Sequence, residues 1–357
     1  MTIQVTVANA YGVAMASDRH VYRAAQTLST GRQVKLHRLR GPVPSAMMCA
    51  GRFSVLGFPV SRLSLRFEQA LEEAAAAGPE ALAEAATAVL RQPLCVPDGG
   101  DDAEALAAVA EMVVGRTQAY GGTEAALGRL LAEIGAAPRC HNSDAVEAVG
   151  RSAWRAGALA ASPSLATSPS LAETLKRTPD LLGEAVIGAL VRNWSRPSDV
   201  QLMIGLCCPV TGVPAVVAVN IWKGLSGCLL YAPRAEQPAC LLRRAGRSLV
   251  LSQGSGRGNV CGMIDGVPGE HTDGSAQTET IAAAMDRRWQ HVHDRIGVSS
   301  PAELASVAAG LVRGAEVIGY LTGEDEGSIA EVDSLLLTPQ GVASHVLARA
   351  PEHSEFA

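Results

Sequence analysis

From Thr2 to Ala8 the chain reads TIQVTVA, a β-branched run in which alternate positions share a face. It breaks at Asn9-Ala10-Tyr11-Gly12 and resumes as VAMAS over 13–17, which predicts a β-hairpin. Two further strands are expected at QVKLHRL (33–39) and SAMMCA (45–50), the second ending at Gly51. The period then changes. From Ser54, Leu56, Leu63, Leu65, Phe67, Ala70 and Leu71 fall on broadly helical spacing, and Pro79-Glu80 opens another helix to about Leu90.

Residues 93–198 are Ala-rich and helical in pattern, interrupted by PDGGDD (97–102), YGG (120–122) and the duplicated stretch ASPSLAT-SPSLA (161–172). Ser170-Leu-Ala-Glu173 fits a capping box that restarts a helix. Strand character returns at VQLMIGLCC (200–208) and PAVVAVNIW (214–222), with a turn at 209–212, and again at Leu249–Gln253. A helix is expected from about Gln277 to Ile296, and another is opened by Ser300-Pro301-Ala302-Glu303. The chain closes with strands at Val332–Thr338 and 342–348 around a Pro-Gln-Gly turn. Strands, helices, strands, helices, strands in that order predict an α+β fold of stacked sheets with helices outside. The expected organisation is a discontinuous core of 1–92 and 199–348, a helical insertion at 93–198 and a tail at 349–357.

Bulk properties narrow the function classes. With 357 residues, 48% of them hydrophobic, the chain is long enough for one large or two medium domains. A net charge of −5 without a dense Lys/Arg cluster argues against a nucleic-acid partner. Eight cysteines without a C-x-x-C pair read as scattered reduced thiols. The first sixteen residues lack a basic n-region and look like strands instead of a targeting segment. No apolar run approaches the length of a membrane span, so the expectation is a soluble cytoplasmic protein with no membrane partner.

The candidate chemistry begins at Met1-Thr2. Removal of Met1 leaves a threonine whose hydroxyl is a nucleophile and whose α-amine, with an ordinary pKa of roughly 7.7–8.0, is a built-in general base. Hairpin closure at 9–12 returns Asp18 to the Thr2 end of the sheet, and Lys35, in the next expected strand, falls beside Asp18. A lysine held by an aspartate supplies a positive field that favours the deprotonated hydroxyl and amine. Gly51 ends a strand where a bare backbone N–H suits an oxyanion. Weaker candidates are set aside. Gly254-x-Gly256 lacks the third glycine of a dinucleotide cradle, and His291 and His293 at i, i+2 point to different helix faces. Cys140-His141 has no ligating partner, and the four tryptophans are too dispersed for a stacking platform.

Taken together these residues resemble the proteasome β-subunit and its bacterial relatives among the N-terminal-nucleophile hydrolases. That family's G-V-x-x-A-x-D pattern is matched by Gly12 to Asp18, its lysine by Lys35 with one inserted residue, and its A-G by Ala50-Gly51. Gly254-Ser255-Gly256 is similar to the family's G-S-G, and Asp325-Glu-Gly-Ser328 to its D-x-x-S, although Ile329-Ala330 replace the glycine pair that follows there. The resemblance implies a four-layer αββα sandwich and acyl transfer without metal or cofactor. Thr2 is the nucleophile, Lys35 and Asp18 supply the field, and the Gly51 N–H holds the oxyanion. Ser255, Asp325 and Ser328 orient the amine, and Val21, Gln33, Cys49 and Phe53 shape the first substrate pocket. The implied activity is a threonine-type peptidase or amidase acting on a peptide or protein. A peptide ligase using the same acyl-enzyme, or a non-catalytic structural or binding subunit, are the alternatives. Family members are commonly rings; the 93–198 block leaves homo-oligomerisation open.

Overall fold

The computed structural model describes residues 3–18, 35–51, 54–55, 58–92, 101–157, 169–195, 198–234, 239–253, 289–321 and 332–347. The hairpin forms as its alternation dictates. Strand β1 (Gln4–Asn9) pairs antiparallel with β2 (Gly12–Asp18) in the register Asn9↔Gly12 to Gln4↔Ser17. Strand β3 (Leu36–Leu39) pairs with β4 (Ser45–Gly51). Two short strands, β5 (Ser54–Val55) and β6 (Phe58–Pro59), precede helices α1 (Val60–Glu73) and α2 (Pro79–Val89). The helix expected from Ser54 therefore begins later. Pro59 holds the residue before it in extended geometry, and the helix starts only beyond it.

Among the described residues the helices that follow are α3 (Asp101–Ala119), α4 (Glu124–Ala136), α5 (Ser143–Arg155), α6 (Pro169–Arg177) and α7 (Pro179–Arg192). Ser170 lies inside α6 and is not its cap, because Pro169, with its preset φ, already occupies the first turn. Helix α7 packs against α3, α4 and α5. The shared core includes Leu106, Val113, Leu130, Ile134, Val146, Leu182 and Val186, and it extends to Trp222, Leu225 and Leu230.

The remaining elements are β7 (Val200–Cys207), β8 (Pro214–Lys223), β9 (Leu229–Pro233), β10 (Ala239–Leu241), β11 (Ser248–Gln253), α8 (Pro301–Leu321), β12 (Val332–Thr338) and β13 (Gly341–Leu347). Residues 289–298 are helical. The expected box caps α8: the Ser300 N–H donates to Glu303 Oε2 at 2.6 Å, and the Glu303 N–H donates to Ser300 Oγ at 3.4 Å. Strands β9 and β10 were not expected.

Among the described residues all strand pairs are antiparallel, in one sheet of order β11-β1-β2-β12-β13, a second of order β10-β8-β7-β4-β3 with β9 also on β8, and a separate two-stranded β5-β6 pair. The α+β class is thus what the chain adopts. Period-two alternation sorts each strand's side chains to two faces. Ile3, Val5, Val7, Ala14 and Ala16 of the first sheet pack on Leu304, Ala308 and Val312 of α8. Its other face turns Val13, Met15, Leu335 and Leu337 toward Met48, Met203, Val216 and Ala218 of the second sheet. The far face of that sheet carries Met47, Leu202, Ile204 and Val217 against Leu63, Phe67 and Leu71 of α1 and Leu82 of α2. The sheets approach so closely that a Cβ on Gly205 would sit 2.8 Å from Met15 Sδ.

Candidate functional site

Asp18 is the last residue of β2 and Lys35 the residue before β3, so one belongs to the first sheet and the other enters the second. Lys35 Nζ lies 3.0 Å from both Asp18 Oδ1 and Oδ2, with each side chain 1% exposed. Asp18 also accepts the backbone N–H of Ile3 at 2.8 Å on Oδ1, and its own N–H donates to the Ile3 carbonyl at 3.1 Å. Burying two charges costs several kcal/mol per ion before their attraction is counted. Such a pair is tolerated because the carboxylate is satisfied from two directions. The arrangement fixes an ammonium beside Ile3, one residue beyond Thr2 in the chain.

Gly51 ends β4 opposite Val200. Its φ is +100°, and a Cβ there would meet the Asp199 carbonyl oxygen at 2.5 Å. Only glycine fits, and that requirement belongs to the fold whatever its N–H does. Cys49, two residues earlier, is buried with Leu63, Phe67 and Leu202 beneath α1, where burial pushes its thiol far above the usual range. Its side chain serves the core, and its backbone carbonyl faces the other way. Thr2, Val21, Gln33, Phe53, Ser255, Asp325 and Ser328 lie outside the described residues.

A chain of polar groups that the sequence reading missed crosses between the sheets at this same end. Gln4 Nε2 donates to the Cys49 carbonyl at 2.9 Å. Gln253 Nε2 donates to Gln4 Oε1, and Arg234 Nη1 donates to Gln253 Oε1 at 3.0 Å. Arg234 Nη2 also donates to the Ser252 carbonyl. Gln4 and Gln253 are fully buried and directly paired across β1 and β11. The only signal for them in the sequence is a glutamine at an inward position of a strand alternation.

The two histidine motifs resolve into structural contacts, and Gly254-x-Gly256 lies outside the described residues. His141 stacks on Tyr231 with ring centroids 4.7 Å apart, and its backbone N–H donates to the Tyr231 carbonyl at 2.8 Å. His293 Nδ1 lies 2.7 Å from Ser248 Oγ, and burial lowers its pKa from the ordinary value. Among the described residues no three His, Cys, Asp or Glu side chains group as metal ligands, and no helix is long and apolar enough to cross a membrane. A cavity of about 560 Å³ lies between the 38–44 segment and the 339–342 turn. That is the opposite end of β3 and β12 from Asp18, since Val332 pairs with Asp18 and Pro339 follows Thr338.

No family model matches the chain, and no curated protein matches it. Among solved structures it is similar to the Anbu complex from Pseudomonas aeruginosa, described as a helical assembly. There the identity is 10%, the match covers 98% of this chain and 88% of that one, and the TM-score is 0.29. It is also similar to Anbu (ancestral beta-subunit) from Yersinia bercovieri, at 11% identity over 99% of this chain and 88% of that one, with a TM-score of 0.28. At such values the likeness carries no argument about family or activity. These findings overturn the membership read from the motifs: the chain is not assigned to the proteasome β-subunit family. The reason is physical as well as statistical. The matched segments are short, are built from Gly, Ala, Ser and Asp that recur wherever strands end in turns, and are free in the spacing between them.

Proposed function

We propose that this protein is a threonine-type peptidase or amidase that works by acyl transfer through Thr2, made N-terminal by removal of what precedes it, Met1 in this sequence. The observation that carries the reading is the buried Lys35–Asp18 pair tied to the Ile3 N–H. A lysine sequestered from water beside Ile3, with Asp18 as its counterion, presents its positive end there with little screening by solvent or salt. In that field Thr2 Oγ attacks a peptide or amide carbonyl while the Thr2 amine takes the hydroxyl proton. The Gly51 N–H stabilises the oxyanion. The amine returns the proton to the departing amine, and water resolves the ester. Ser255, Asp325 and Ser328 orient the Thr2 amine, with Val21, Gln33 and Phe53 lining the first substrate pocket. No metal or cofactor takes part.

Helix, sheet, sheet and helix packed in that order suit an N-terminal-nucleophile hydrolase, in which the nucleophile begins a central strand. The described helices between 101 and 192 share a cluster that meets the rest of the chain through Trp222, Leu225 and Leu230, which favours reading 93–198 as an insertion into a discontinuous body of 1–92 and 199–348, with 349–357 as a tail. A location in the cytoplasm accords with the buried free thiols.

The test is N-terminal sequencing joined to activity. A preparation beginning at Thr2 releases amine from a fluorogenic peptide library, and Thr2→Ala abolishes that release while melting at the wild-type temperature. Equal release by the variant refutes the assignment. Adding a free amine separates the outcomes of the acyl-enzyme: hydrolysed products alone mean a hydrolase, and aminolysed products mean a ligase.

A further inference from the structure

The faces of β1 are sharply sorted. Ile3, Val5 and Val7 belong to the core beneath α8, which leaves Gln4, Thr6 and Ala8 facing the second sheet. A glutamine at a fully buried, inter-sheet position is costly unless each end of its amide is bonded. Here both ends are bonded. The NH₂ of Gln4 donates to the Cys49 carbonyl of β4 at 2.9 Å, and its oxygen accepts from Gln253 of β11. Gln253 in turn accepts from the Arg234 guanidinium; Arg234 follows β9 on the second sheet, and its backbone N–H donates to the Ala218 carbonyl at 2.9 Å. The chain of bonds therefore begins on β4, crosses to β1, steps to β11 and returns to the second sheet.

Its location is informative. Gln4 is two residues beyond Thr2, and Cys49 is two residues before Gly51, so each is at most about 7 Å of chain from the group it serves. Gln253 is the residue immediately before Gly254-Ser255-Gly256. Apolar side chains in these places would fill the same volume, but they would not fix a distance. A hydrogen-bonded amide does, because its donor and acceptor must both be met at about 2.9 Å.

Resting on the acyl-transfer reading, we infer that Gln4 and Gln253, anchored by Arg234, are positioning residues that set the gap between the strand bearing the nucleophile and the strand bearing the oxyanion donor. They touch neither substrate nor the reacting atoms. They hold β1 at one separation from β4, so that Thr2 Oγ and the Gly51 N–H meet the same carbonyl. Loosening that gap lowers the rate of the chemical step and leaves substrate affinity alone, since these side chains position the reacting groups and do not bind substrate.

The experiment measures covalent labelling by a peptide epoxyketone, followed as intact mass, to give kinact and KI separately for wild type, Gln4→Leu, Gln253→Leu, the double variant and Arg234→Gln. Each single variant is expected to lower kinact roughly 10- to 100-fold with KI unchanged, as misplacement of reacting groups by about 1 Å does. The double variant is expected to be no slower than the worse single, because the residues act as one unit. Where Gln4→Leu fails to fold, Arg234→Gln at the edge of the chain of bonds reports instead. Wild-type kinact in all variants, or a change confined to KI, overturns the inference while leaving the nucleophile in place. A wild-type protein that takes no adduct at Thr2 removes the acyl-transfer reading and this inference with it, and that failure shows in the wild type, not in the variants.

Discussion

Asp18 and Ile3 hold each other twice. The Asp18 carboxylate accepts the Ile3 N–H at 2.8 Å, and the Ile3 carbonyl accepts the Asp18 N–H at 3.1 Å. Lys35 closes the arrangement from the other sheet at 3.0 Å. The peptide bond that follows Thr2 is thus fixed by the same carboxylate that holds the ammonium, and the account rests on this coupling.

Lys35→Met leaves the Asp18 charge buried without its counterion. The expected loss is about 3–5 kcal/mol of folding stability, read as a shift of the urea midpoint at constant m. Pairing it with Asp18→Asn restores much of the stability by removing the charge. Neither variant regains labelling or turnover. A double variant as active as wild type would show that the pair is only a strap.

Gly51→Ala forces a side chain into left-handed backbone, with a Cβ 2.5 Å from a carbonyl oxygen. The cost is expected to exceed about 1 kcal/mol and to appear as a lower Tm. An unchanged Tm would mean that the end of β4 relaxes freely, which is incompatible with Gly51 as a fixed oxyanion donor.

His37 and His293 both have pKa values lowered by burial. The folded state therefore holds them neutral where the unfolded chain, titrating near 6.5, already takes up protons. Their contribution is fully present above that unfolded value and is lost as pH falls through it toward the folded values. Urea midpoints measured from pH 8 to pH 5 should decline below about 6.5, and His37→Gln with His293→Gln should flatten that decline. An equally steep slope in the double variant contradicts the assignment.

Thiol reagents should separate the cysteines by burial. Cys49, Cys140, Cys207 and Cys208 are buried, and burial, with a smaller contribution from Cys208, pushes the Cys207 thiol up to about 12. Cys228 and Cys240 are half-exposed with thiols raised by burial, so among the described cysteines they alone should react in native protein, and slowly. Mass mapping that finds Cys207 modified before denaturation would contradict the packing between the sheets.

Much of the scaffold was legible because local rules and tertiary demands agree. Alternation located β1, β2, β4, β7, β8 and β12, and the Ser300–Glu303 box located the start of α8. Local signals misled where a proline overrode them, at Pro59 before α1 and Pro169 in α6. Strands β9 and β10 were missed because they are short and complete the sheet only through β8. The meeting of Asp18 with Lys35 could be anticipated because a tight hairpin turns the chain back by a known length. The Gln4–Gln253 bridge could not, since its partners are 249 residues apart and each looks like an ordinary strand glutamine. The family reading failed for a related reason: short motifs of turn-forming residues record how strands end more than common descent.

The most direct measurement is the intact mass of the purified protein with and without a peptide epoxyketone, a warhead that needs both the hydroxyl and the amine of an N-terminal threonine. The account predicts a chain beginning at Thr2 that gains one adduct, and no adduct in Thr2→Ala or Lys35→Met. A protein that begins at Thr2, is folded by its melting curve and still takes no adduct would contradict it.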